Sequence, residues 1–161
     1  MNKPIINIIM GSSSDLEQVK PCLEICDNFK VGYEVKVLSA HRSPKKLSKY
    51  VESAKKRGVK VFIAAAGGSA ALAGVIAAHS TLPVIGIPIK TSSLSGLDSL
   101  LSTVQMPGGV PVGCMAIGKS GAKNAAVFAL EILALSNKTI AKRMLSYKRS
   151  LLNSVKDLVR K

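Results

Sequence analysis

Short apolar runs rich in β-branched residues alternate with stretches of helical periodicity along nearly all of this 161-residue chain, and that alternation restricts its architecture sharply. IINIIM (5–10) is a β-branched run closed by glycine and serines, which fits a buried parallel strand. YEVKVL (33–38), VKVFIAAA (59–66), LPVIGIPI (82–89) and VPVGCMAI (110–117) supply four more strand candidates. Helices fill the gaps. Ser14 and Glu17 have capping-box spacing ahead of a stripe of Leu16, Val19, Leu23 and Ile25. Ser43 can cap a helix begun by Pro44, where a missing N–H costs nothing. An alanine-rich helix follows GGSAALAG, a short one falls near LDSLLSTV, and longer ones cover GAKNAAVFALEILAL and the C-terminal stretch. Strand–helix alternation of this kind predicts a parallel sheet covered on both faces, a three-layer α/β/α sandwich. One domain over residues 1–161, ending in a basic helix at about 138–160, suits the length.

In such sheets ligands sit beyond the carboxyl ends of the strands, where loops lead into helix N-termini. Three loops qualify: GSSSD (11–15), SAHRSP (39–44) and AAAGGSAALAG (64–74). Their hydroxyls and helix-start amides suit a phosphate. Neither the P-loop spacing nor the dinucleotide pattern is present, so a nucleoside triphosphate is not indicated. Ser12 and Asp15 are the residue types of a ligand contact and equally of a helix cap. Gly67 and Gly68 suit a site wall or close strand-to-helix packing. His41 and His79 are the only histidines, so proton transfer by imidazole at neutral pH must use one of them. His79 falls near a helix end. His41 sits on a strand-exit loop beside Arg42, a residue suited to holding an anion, and reads either as a turn residue or as an acid–base group.

Charge narrows the partners. The formal net charge is +14, which attracts anions in general. Much of it lies at the end, from Lys138 to Lys161, where Ile140, Met144, Leu151, Val155 and Leu158 recur at helical spacing beneath a basic face. Aromatic residues make up only 4% of the chain and do not interleave with the basic positions, so the stacking platform of a single-strand nucleic-acid binder is missing. Cys22, Cys26 and Cys114 form neither a disulfide framework nor a zinc pattern, so no metal is expected. No run reaches the roughly 20 apolar residues of a membrane span, and the first fifteen residues lack a signal-peptide pattern, which leaves the cytoplasm as the default location.

Taken together and in order, GSSSD (11–15), SAHRSP (39–44), GIPIKTSSLSGLDSLLSTVQMPGG (86–109) and AIGKSGAKNAA (116–126) resemble the N5-carboxyaminoimidazole ribonucleotide mutase family of purine biosynthesis. The resemblance runs from about residue 5 to 135. It implies a flavodoxin-like subunit, a homo-octamer with sites shared between subunits, and a ribonucleotide substrate bearing a carbamate. It further implies that Ser12 and Asp15 bind the ribonucleotide, Arg42 holds its phosphate and Ser39 lines the pocket. Gly67, Gly68 and Ser69 would wall the reacting carboxylate, with His41 as general acid–base and no metal, biotin or ATP as cofactor. One loop departs from the family pattern: where relatives read GGAAHLPG this chain reads GGSAALAG, with Ala71 in place of a second histidine and Ala73 in place of a proline. That loop is similar to the animal-type aminoimidazole ribonucleotide carboxylases, which take free CO2, and such a carboxylase is the first alternative. A non-catalytic relative that binds phosphate or nucleic acid is the second.

Overall fold

The computed structural model describes residues 3–153, and among them five strands form one all-parallel sheet in the order β2-β1-β3-β4-β5. The strands are β1 (Ile6–Met10), β2 (Tyr33–Val37), β3 (Val61–Ala66), β4 (Val84–Pro88) and β5 (Gly113–Cys114). The helices are α1 (Leu16–Asn28), α2 (Pro44–Glu52), α3 (Ala54–Arg57), α4 (Leu72–Ala78), α5 (Leu97–Val104), α6 (Gly118–Ala134) and α7 (Lys138–Asn153). This is the expected three-layer, flavodoxin-like arrangement. The chain divides into two compact units, Met1–Ala129 and Leu130–Lys161.

In the first unit β1 is buried along its whole length, as a strand covered on both faces must be. One face carries Ile9, Phe62, Ala64 and Val84, packed with Leu47 and Val51 of α2, Ala54 of α3, and Leu72 and Ile76 of α4. The alternate residues Ile8, Ile63 and Ile85 stand in register on the other face and are equally buried. Strand exits lie level, since Gly11 N–H donates to the Ala65 carbonyl, Leu38 N–H to Met10 and Ile89 N–H to Ala66, each at 2.9 Å. Among the described residues no helix is long and apolar enough to cross a membrane.

Three local expectations change. The capping box lies two residues earlier than its spacing suggests: Ser12 caps a 3-10 turn at Ser13–Asp15, and Asp15 returns the bond to the Ser12 amide. Glu17 instead faces outward, paired with Lys20 at 2.6 Å and Lys119 at 3.1 Å. The fifth strand shrinks from eight expected residues to the two of β5, because Pro111 has no N–H and the Val110 N–H closes a turn on the Pro107 carbonyl. Ser43 occupies the N-cap of α2, but its hydroxyl donates back to the Ser39 carbonyl at 3.0 Å instead of capping.

In the second unit Asn137 caps α7, its Oδ1 accepting from the amides of Thr139 and Ile140. Lys148 pairs with Glu131 at 2.9 Å. Ile140 and Met144 are buried, whereas Leu151 is exposed. Residues 154–160 of the expected basic helix, including Val155 and Leu158, lie outside the described residues.

Candidate active site

The strand order reverses direction between β1 and β3, and the crevice at such a switch point is where this class of sheet binds ligands. A cavity of about 330 Å³ lies there, open to solvent. The exit of β1 contributes Ser12 and Asp15, the exit of β2 Ser39, His41 and Arg42, and the exit of β3 Gly67 and Ser69. Seven of the eight residues expected from sequence therefore share one cavity. Gly68 does not line it and stands behind the wall, its N–H directed to Ser99 of α5 at 2.9 Å.

The first two loops are held by their own polar residues. In the first, Asp15 Oδ2 accepts from the Ser12 amide at 3.0 Å, and the Ser12 and Ser14 hydroxyls lie 2.8 Å apart. Asp15 is nearly buried, and desolvation pushes its carboxyl above the ordinary range against the opposing pull of the Ser12 amide and the Ser14 hydroxyl. In the second, Ser39 closes the turn: its Oγ accepts from the Arg42 amide at 3.2 Å and its carbonyl from the Ser43 amide at 3.0 Å. Arg42 then reaches across, its Nη2 donating to the Gly11 carbonyl at 3.2 Å. This spans the exits of β2 and β1 and leaves the remaining guanidinium donors for an anion. The His41 ring makes no hydrogen bond among the described residues, so both nitrogens are open to a ligand.

The third loop brings alanine to the cavity, Ala66 and Ala71 lining it where it meets α4. His79 is not part of the site; its Nδ1 lies 3.3 Å from Glu52. His41 is thus the one imidazole at the cavity. The chemistry on offer is a guanidinium for a phosphate, a carboxylate and hydroxyls for a polyol or amide, and an exposed imidazole for proton transfer.

Residues 5–154 match the family described as AIR carboxylase. This chain belongs to that family. Among curated AIR carboxylase relatives, the N5-carboxyaminoimidazole ribonucleotide mutase of Bacillus subtilis is 51% identical over 142 residues, covering 88% of each chain. The protein of the same name from Pyrococcus abyssi is 50% identical over 148 residues, 92% of this chain and 84% of that one. Among solved structures, Treponema denticola PurE superposes with a TM-score of 0.84 at 28% identity, over 93% of this chain and 92% of that one.

Two structural features near the strand exits escape a reading of the sequence alone. Gln18 of α1 clasps the backbone of Lys90 beyond β4, donating to its carbonyl at 3.1 Å and accepting from its amide at 3.0 Å. Ser99 and Thr103 of α5 are buried, while Leu97 and Leu101 of the same helix are exposed. That inversion follows from close packing: a Cβ at Gly86 of β4 would run into the Thr103 methyl group. The glycine in the middle of a buried strand was the available signal.

Proposed function

We propose that the protein isomerises N5-carboxyaminoimidazole ribonucleotide to 4-carboxy-5-aminoimidazole ribonucleotide in purine biosynthesis. The observation that carries the reading is the placement of the His41–Arg42 loop over the switch-point cavity, in a chain half identical to proteins named for that reaction. Arg42 takes the substrate phosphate, Ser12 and Asp15 hold the ribonucleotide, Ser39 lines the pocket, and Gly67 and Ser69, with Gly68 behind them, wall the reacting carboxylate. Protonated His41 delivers its proton to the carbamate nitrogen as the N–C bond breaks, releasing CO2 into the cavity. The ring carbon attacks that CO2, and neutral His41 removes the ring proton, which restores its starting state. One proton leaves the imidazole and one returns, so the cycle is balanced without ATP, biotin or metal.

The chain acts as a single mutase domain, a reading supported by the family match spanning both compact units. It works as a homo-octamer with shared sites in the cytoplasm, and nucleic acid is not its ligand. The apolar outer face of α5, with Leu94 just before it, supports the assembly. The test is a carbamate-isomerisation assay without ATP or added bicarbonate. His41→Asn is expected to lower turnover by roughly 100- to 10,000-fold, and near-full turnover in the variant would refute the role. The small side chain of Ala71 at the cavity favours a second reading, a carboxylase using free CO2. It would show as activity on the uncarboxylated ribonucleotide that rises with CO2 and ignores the carbamate.

A further inference from the structure

We infer that Ser99 is a positioning residue for this site, holding its β3-exit wall in one of two peptide orientations. Ser99 lies on α5, outside the cavity, and is fully buried. Its hydroxyl has a single proton, and the oxygens that can take it are the Ile89 carbonyl at 2.8 Å and, less closely, Asp98 Oδ1 at 3.5 Å. Toward Gly68 the hydroxyl can then only accept, and it does so from the Gly68 N–H at 2.9 Å.

That polarity matters because of where Gly68 stands. Its φ is +65°, a left-handed conformation natural to glycine, and a Cβ placed there would meet nothing within 4 Å. At Gly68 itself, then, packing leaves the direction of the N–H open, although Gly67 on the other side of the peptide is close to the Thr91 methyl group. In a trans peptide the N–H and the preceding C=O point in opposite directions, so the Ser99 bond fixes the Gly67 carbonyl as well. A flipped peptide would set a carbonyl against the Ser99 lone pairs. Gly67 and Ser69, on either side of Gly68, both line the cavity. A hydroxyl that never touches substrate thus selects the orientation of the wall, and α5 becomes part of the catalytic support. The inference rests on the proposed isomerase reading for its kinetic consequence, though not for its structural one.

Thr103 supplies the control. It is one turn further along the same helix, equally buried, and its hydroxyl donates to the Ser99 carbonyl at 2.7 Å without reaching the wall. The experiment compares Ser99→Ala and Thr103→Val in the full-length protein, by amide hydrogen exchange of the segment 66–72 and by steady-state isomerisation. Both variants are expected to lose thermal stability. Only Ser99→Ala is expected to speed exchange in that segment and to lower kcat by about tenfold or more, with KM changed by less. Exchange in 66–72 that is the same in both variants overturns the inference, as does a Ser99→Ala kcat within twofold of wild type. Wild-type protein without isomerase turnover refutes the isomerase reading instead, and the exchange comparison still decides whether Ser99 orders the wall.

Discussion

Asp15 shows how a single side chain can be held at the expense of stability. Burial keeps its carboxyl above the ordinary range despite the Ser12 amide and Ser14 hydroxyl bonded to it. A carboxyl with a raised folded-state pKa binds protons more readily in the folded than in the unfolded chain. Stability therefore falls as pH rises from the unfolded value of about 3.8 through the folded one, and the deficit is complete above it. Above that range the ionised Asp15 is destabilising, a cost that the proposed contact with the ribonucleotide accounts for. Asp15→Asn keeps an oxygen for the Ser12 amide and removes the titration. Its urea midpoint is expected to equal or exceed that of wild type at pH 7, with the advantage shrinking toward pH 4. KM for the ribonucleotide is expected to rise roughly tenfold or more, the scale of a lost hydrogen bond to a charged group. A midpoint difference that does not vary with pH would count against the desolvation account.

At the scale of elements, two glycines have different reasons to be there. Gly121 in the first turns of α6 has ordinary helical geometry, but a Cβ on it would overlap the Ala116 carbonyl. Gly68 has open space and an unusual φ. Gly121→Ala must displace backbone and is expected to cost about 3 kcal/mol. Gly68→Ala pays only for the left-handed conformation, about 1 to 2 kcal/mol. Chemical denaturation of the two variants checks the order, and a smaller loss for Gly121→Ala would contradict it. The same contrast explains what could be read in advance. Strand runs such as IINIIM and loops such as SAHRSP were legible because β-branched periodicity and helix-start chemistry are local. The switch-point rule pointed to three distant loops that do meet at one cavity. Less legible were features decided by partners far along the chain: the loss of most of the fifth strand to Pro111, the outward turn of Leu97 and Leu101, and the retreat of Gly68 behind the wall to meet Ser99. Their causes are a missing donor, a glycine on a neighbouring strand and a hydroxyl 31 residues away.

For the whole molecule, the exposed row of Leu97, Leu101 and Val104, at spacings of four and three on α5, is the feature that bears most on assembly. If the proposed octamer uses this face, Leu101→Glu places a charge among leucines at a cost of several kcal/mol per subunit. Sedimentation velocity is then expected to show smaller species than wild type and the isomerase assay a matching loss. A variant that sediments as wild type would remove α5 from the interface. The sheet has a bearing on this as well. One edge is the two-residue β5, too short to recruit another strand, and the other is β2, where Lys36 sits 3.5 Å from Glu34. Short and lysine-bearing edges are poor templates for backbone pairing between molecules. A chain that is 47% hydrophobic thus offers neighbours little bare backbone to zip onto, which guards it against amyloid-like stacking and leaves self-recognition to side chains that one substitution can change.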